Sequence, residues 1–444
     1  YMNFEITAQK IIEKTLKSGA TECDVVLAKA SGKSISCRKQ NIEDLEESND
    51  STIGIRALVD QKQAFVSSSE VDDDNIETLV NKCVSMAKLA PVDDTAVLGD
   101  SSLFESEIGN LELHQSEETN TEVLIDSVKE CEEAALSVPG ISNSEGAGAS
   151  FSQGEFYLAT SNGFQGGYKS STNSISCSVL AGEGQSMERD YDYSVSRHFS
   201  DLRSAKEIGT SAANKTLKRL NPKKIKSTKL PVIFDKRISN GLIGYLAGAI
   251  SGPSIARGTS FLKDSLGKQI FKKDVTIIDD PGILKGLGSK PFDGEGIQVS
   301  KKEIVSNGKL NTWILNTSTA KKLNFKTTGN ASRSVGAPPG VSTSNFFMTN
   351  GILSYDDMIK SIKYGFYANE LIGMGVNLVT GDYSMGASGM LIENGEITHA
   401  VSEVTIASNL TEMFLNLSAA NDLEFKYRTN APTVLIENMT LAGK

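Results

Sequence analysis

The chain has 444 residues, 39% hydrophobic and 23% charged, with a formal net charge of −10 and a pI near 5.1. That length suits roughly two or three domains with sizeable cores. The acidic balance argues against a nucleic-acid partner, because phosphate binding needs clustered Lys and Arg. There is no run of about 18 apolar residues to suggest a membrane span. The opening YMNFEITAQKIIEK lacks the apolar segment of a signal peptide. Five cysteines (Cys23, Cys37, Cys83, Cys131, Cys177) never form CxxC. They read as reduced thiols of a cytoplasmic protein rather than a disulfide framework.

In chain order, residues 4–18 place Phe4, Ala8, Ile11, Ile12 and Leu16 on one face of a helix that ends at Gly19. Five short strand-like runs follow, Cys23–Lys29, Lys33–Lys39, Ile42–Ser48, Thr52–Leu58 and Ala64–Ser68, with Asp60-Gln61-Lys62 as a hairpin loop. Asp72–Asp74 cap a second helix, Ile76–Leu89, where the dipole favours acids. Residues 91–117 are a polar connector, and His114 there reads as a surface residue. The order then repeats. A helix at Glu122–Leu136 precedes strands around Ile141–Ser150, Glu155–Thr160, Phe164–Lys169, Ser174–Ala181 and Asp192–Phe199. Asn162-Gly163 marks a hairpin. A helix at Leu202–Leu220 closes the unit. Lys215–Lys229 is basic and reads as a solvated linker.

The expected fold is α+β, with two helix–β-meander–helix modules in an N-terminal domain 1–222 (repeat 1–90 and 118–220) and a β-rich C-terminal domain 229–444. In that second domain Leu230–Phe234 reads as a buried strand. Asn307-Gly308 and Asn394-Gly395 each join two strands, which argues for antiparallel sheet. Ser354–Ile362 and Leu410–Ala419 read as short helices, and Thr433–Met439 as the last strand. Ser239–Ser260 reads as a glycine-rich helix, capped by Ser239 or Asn240 and stopped by Gly252-Pro253. Gly241, Gly244, Gly248 and Ser251 share one face. Tight packing against a neighbour is the plainer reading of such glycines, and proximity to a ligand or a partner's active site the functional one.

Chemistry-bearing signatures are few. The three histidines His114, His198 and His399 lie far apart, and no HExxH, Walker loop, GxGxxG or GxSxG is present. In Thr380-Gly381-Asp382-Tyr383-Ser384, Asp382 reads first as a turn-holding carboxylate, with Tyr383 and Ser384 facing a cleft as the functional alternative. Phe292-Asp293-Gly294-Glu295-Gly296 offers two carboxylates to acid–base chemistry, but a glycine-rich surface turn is the plainer reading.

The second half carries SFLKDSLGKQIF (260–271), KPFDGEGI (290–297), TTGN (327–330), ELIGMGVNLVTGDYSMGASGMLIENGEI (370–397), VSEVTIASNL (401–410) and VLIENMTLAGK (434–444), together and in this order. In these residues it resembles the TldD/PmbA family, once called modulators of DNA gyrase, and its PmbA (TldE) branch in particular. The resemblance implies a cytoplasmic two-subunit metallopeptidase acting on unfolded or peptide-like substrates. Its TldD-type subunit binds a zinc-type metal on an HExxxH helix. Here the corresponding helix looks like Ser239–Ser260, where glycines and aliphatics replace ligands, and no cysteine follows Cys177. The expectation is therefore a subunit without its own metal or catalytic residues. It would pair with a TldD-like partner and help align an unfolded peptide, with Arg257, Asp382, Tyr383 and Ser384 as candidate substrate contacts. A peptide-binding or scaffolding homodimer and a self-sufficient hydrolase are the alternatives.

Overall fold

The computed structural model describes residues 3–443. Asn3 caps α1 (Phe4–Lys17) through a 3.2 Å bond from the Ile6 N–H, and Ala8, Ile11, Ile12 and Thr15 turn its buried face inward. β1 (Glu22–Arg38), β2 (Asn41–Val59), β3 (Lys62–Ser68) and α2 (Asp73–Leu89) complete the first module. The second comprises α3 (Thr121–Leu136), β4 (Ile141–Thr160), β5 (Gln165–Ala181), β6 (Glu188–Ser196) and α4 (Ala205–Lys218). The modules do not stand apart. Their strands form one antiparallel sheet in the order β3-β2-β1-β4-β5-β6, with β1 and β4 at the seam.

The strands are fewer and longer than expected. The small polar residues around Ser31 and Gly32 read as a break, yet β1 runs through them. Gly32 is paired with Ser48 on one side and Ser152 on the other. Ladder partners on both sides override weak local strand propensity. Alternation then divides the faces. Val25 and Leu27 pack under α1 and α2 with Ile53 and Ile55, and Ile35 and Cys37 pack under α3 and α4. Val26 points the other way, into a cluster with Leu158, Phe164 and Phe292 of the C-terminal half.

The C-terminal half is organised by β7 (Thr228–Phe234). It pairs in parallel with Tyr364–Ile372 and antiparallel with Val434–Ala442. Asp382–Glu393 and Glu396–Asn409 extend the ladder, and Thr405–Ala407 return to pair with Thr440–Ala442. The sheet thus closes into a barrel through these three residue pairs, with the short strand Leu417–Ala419 attached at its margin. Both Asn-Gly hairpins form, with Asn307, Gly308, Asn394 and Gly395 all at positive φ. One expected helix is shorter: Leu410–Leu415 gives way to a strand, Leu417–Ala419, that pairs with Val434–Ile436.

The glycine-rich helix is displaced from its expected bounds. α5 (Lys236–Ala249) is capped by Asp235, whose carboxylate accepts the Arg237 N–H at 2.7 Å. Gly252-Pro253 does not simply stop it but opens a second short helix, α6 (Gly252–Ala256), where proline's missing N–H costs nothing. Leu242, Ile243 and Leu246 of α5 are buried in the barrel's core with Phe234 and Phe366.

Candidate functional site

A cleft of about 560 Å³ opens where β6 meets the start of α5 and the strand Tyr364–Ile372. β6 ends the N-terminal sheet, so both rows of its Asp190-Tyr191-Asp192-Tyr193 alternation reach the cleft. Tyr191 and Tyr193 are stacked with centroids 6.2 Å apart, and Tyr427 lies 5.8 Å from Tyr193. Across the cleft Tyr355 and Tyr367 meet edge to face at 6.0 Å. The Tyr367 hydroxyl donates to Asp235, so one carboxylate both caps α5 and fixes a ring of the cleft. Burial, then the Asp235 charge, raise the Tyr367 pKa and keep the hydroxyl protonated.

Arg237 joins the two halves. Its guanidinium reaches Asp190 at 2.7 and 3.3 Å and the Asn369 carbonyl at 3.0 and 2.7 Å, and it lies 5.5 Å from the centre of the Tyr191 ring. Burial opposes its charge, but the bonds and charge of Asp190 outweigh that and raise its pKa. Asn369 is the extra residue of a bulge, since Ala368 pairs with Gly389 and Glu370 with Ser388. Bulges re-aim side chains, and here the Asn369 side chain lines the cleft with its Oδ1 buried and unpaired.

The expected site residues are elsewhere. Arg257 is the exposed C-cap of α6. Asp382 and Ser384 are exposed at the start of a barrel strand. Asp382 accepts the Thr380 hydroxyl at 2.6 Å and the Asn409 amide at 3.4 Å, side-chain donors in place of the backbone N–H groups expected of a turn-holding carboxylate, and the Ser384 N–H donates to the Gly375 carbonyl at 2.7 Å. Tyr383 does not face a cleft. It is 1% exposed, between Phe234 and Tyr245, because alternation along its strand turns it into the barrel core. No bond joins Arg257 to the Asp382 turn. The nearest link is the Phe261 N–H to the Leu378 carbonyl, 2.9 Å. Packing does not account for the glycine face at Gly241 and Gly244, where a β-carbon would meet nothing within 4 Å. At Gly248 it would touch Leu378 Cδ1 at 3.0 Å.

Two further readings are corrected. Phe292–Gly296 is no surface turn: Asp293 and Glu295 are 1% and 4% exposed. Phe164 and Tyr168 of the N-terminal half cover it, with ring centroids 4.9 and 5.5 Å from Phe292. Asp293 accepts the N–H groups of Glu295, Ile297 and Ala331, and Glu295 accepts both the N–H and the hydroxyl of Thr317. Lys215–Lys229 is only partly a linker: Lys215 and Lys218 belong to α4, and Arg219 binds Glu188, Asp190 and Glu370.

The donor set does not fit a metal. α5 has no His, Cys, Asp or Glu. Among the described residues no three such side chains converge. His114 pairs with Gln153, His198 with the Glu112 carbonyl and His399 with Thr398. The five cysteines are all buried.

A protein described as a modulator of DNA gyrase shares this fold, a closed barrel behind a two-module sheet with a helix laid against the barrel. A solved chain of that description from Bacteroides thetaiotaomicron superposes with a TM-score of 0.90 at 27% identity, covering 99% of both chains. TldE from Thermococcus kodakarensis shares the fold, with a TM-score of 0.88 at 21% identity over 98% of this chain and all of that one. Models of the PmbA/TldA metallopeptidase match in three parts: domain 1 at residues 23–87, the central domain at 115–220 and the C-terminal domain at 227–443. Metalloprotease PmbA of Escherichia coli O157:H7 is 36% identical over 450 residues, covering 99% of this chain and 98% of that one. The Haemophilus influenzae PmbA homolog is 36% identical over 434 residues, covering 97% and 94%. The chain belongs to the PmbA/TldD metallopeptidase family.

The tyrosine cleft was missed in the sequence. One local signal existed, the Asp-Tyr-Asp-Tyr alternation at 190–193, which marks a strand with two unlike faces. Tyr427 and Arg237, which complete the cleft, are too distant in sequence for any local pattern to join them.

Proposed function

We propose that this chain is the metal-free subunit of a cytoplasmic two-subunit peptidase that degrades or processes unfolded peptides. Its TldD-type partner supplies the metal-bearing HExxxH helix. The observation that carries this is α5, whose exposed face is glycine where a metal-binding helix would present ligands. Beside it Ile372, Met374 and Val379 are exposed by 60%, 100% and 55%. So open an apolar lip beside an uncovered helix face suits a second subunit. β6 borders the cleft with an outer edge that has no strand partner among the described residues. The Tyr191 and Tyr193 N–H groups on it donate to Asp190 and Asp192, and the Tyr193 carbonyl accepts from Arg203, so an extended peptide held there by its backbone would exchange its bonds for these. The hydrolytic step belongs to the partner.

The test is capture of an HExxxH-bearing relative by the tagged chain, followed by peptidase assays of each subunit and of the mixture. The mixture alone is expected to cleave. Stoichiometric zinc in the isolated chain together with cleavage by it would overturn the proposal. Failure to capture any such relative would favour the scaffolding homodimer.

A further inference from the structure

The inter-half cleft matches the three groups that a peptide's last residue carries. Its walls are ring faces, from Tyr191, Tyr193 and Tyr427 on one side and Tyr355 and Tyr367 on the other. Its charge is positive within an acidic protein. Six cationic side chains line it against four carboxylates. Three of those carboxylates are each shared by two cations: Asp190 by Arg237 and Arg219, at 2.7 and 3.7 Å, Asp192 by Arg203 and Lys215, at 3.0 and 3.1 Å, and Glu424 by Lys236 and Lys426. None of the ion pairs among the described residues includes Lys218. The α5 N-terminus adds no free anion site, because Asp235 already caps it. The third group is an acceptor, the buried and unpaired Asn369 Oδ1. Burying such an acceptor without a donor is costly, so a ligand N–H gains by reaching it.

We propose that this cleft binds the C-terminal residue of a peptide. An aromatic side chain lies among the tyrosines, the terminal carboxylate meets the surplus cations around Lys218, and the residue's amide N–H donates to Asn369 Oδ1. A free aromatic amino acid presents related chemistry, but the peptide-handling reading on which this inference rests favours the peptide tail. The cleft would then hold a substrate's end beside β6, with the rest of the peptide leading out of the cleft.

Isothermal titration of the isolated full chain with N-acetyl-alanyl-phenylalanine tests this directly. The C-terminal amide of the same dipeptide and free phenylalanine are the comparison ligands. Loss of a charge-assisted contact is expected to weaken the amide about tenfold. Lys218→Glu, an exposed change, is expected to weaken the free acid by a similar factor while leaving the melting temperature unchanged. Tyr427→Ala, at a half-buried position, is expected to do the same through the ring wall. No binding of the acid at about 1 mM, a weak −4 kcal/mol, would overturn the inference, as would equal binding of acid and amide. Free phenylalanine binding as tightly as the dipeptide would overturn the assignment to a peptide tail. Cleavage by the mixed subunits without tail binding would sink this inference alone. Tail binding by a chain that captures no HExxxH relative would sink the subunit reading alone.

Discussion

Arg237 and Asp190 form a two-pronged ion pair, at 2.7 and 3.3 Å, between the first turn of α5 and the last strand of the N-terminal sheet. The side chains are 14% and 2% exposed. Removing the guanidinium leaves Asp190 with Arg219 at 3.7 Å as its remaining cation. Breaking a buried pair from one side costs about 3–5 kcal/mol, and Arg219 places Arg237→Met at the low end. Arg237→Met should therefore lower the urea midpoint substantially. Arg237→Met combined with Asp190→Asn should cost less than the sum of the two single changes, because the second removes the charge that the first strands.

The glycines of the helices divide into two kinds, and alanine substitution should separate them. At Gly241 and Gly244 an added β-carbon meets nothing within 4 Å. Alanine there should stabilise by about 0.5–1 kcal/mol each, through helix propensity. At Gly209 of α4 the β-carbon would lie 1.9 Å from the Cys131 carbonyl oxygen of α3. Gly209→Ala forces the two helices apart and should destabilise by several kcal/mol, about the cost of a severe overpacking. Thermal melts of the three variants check the signs. If Gly241→Ala and Gly244→Ala raise the melting temperature yet weaken capture of the HExxxH relative, the open face serves the partner and not the fold.

Local chemistry made much of the architecture readable. Asn307-Gly308 and Asn394-Gly395 mark hairpins because both residues must take positive φ. The amphipathic spacing of Ala8, Ile11 and Ile12, or of Leu124, Val128 and Cys131, marks helices packed on a sheet. What escaped was set by distant segments. The barrel closes only because Thr405–Ala407 find Thr440–Ala442, and no residue of either strand encodes the other. Phe292–Gly296 looks like a solvent turn until Phe164 and Tyr168 cover it. Tyr383 sits in a polar-looking run, yet strand alternation sends it inward. The cleft depends on Tyr427 meeting Tyr193 and on Arg237 meeting Asp190, pairs that a linear pattern does not link.

Glu295 makes the seam between the halves sensitive to pH near neutrality. Burial, then the nearby Asp293 carboxylate, push its pKa up from 4.5 to about 7. The folded state thus holds this proton more tightly than the unfolded chain does. The stability it contributes is full below about 4.5 and is lost as pH rises through about 7. A shift of that size corresponds to roughly 3 kcal/mol between the two limits. Glu295→Gln keeps an oxygen acceptor for the Thr317 N–H and hydroxyl, so it should fold. Urea unfolding across this window should show a fall in stability for the wild type and a flatter profile for Glu295→Gln. Parallel profiles would show that Glu295 does not titrate there.

Asp24 has the opposite dependence. It lies on β1 between two buried guanidiniums, accepting from Arg56 at 2.6 Å and from Arg333 of the C-terminal half. Burial alone would raise its pKa, but the charges of Arg333 and Arg56 outweigh that and hold it below 3.8. Its stabilisation is therefore complete above the ordinary carboxylate range and is lost only as pH falls below it. Asp24→Asn leaves both guanidiniums facing a neutral group, which should cost about 3–5 kcal/mol at neutral pH. The same change should cost much less in strong acid, where the wild-type carboxyl is itself protonated. Arg333→Met added to Asp24→Asn should recover part of the loss, since it removes one stranded charge. Urea unfolding of the wild type and of these two variants at neutral pH and in acid gives all three comparisons. An Asp24→Asn penalty that is equal in acid and at neutral pH would show that packing, rather than the shared carboxylate, holds the two halves together at this seam.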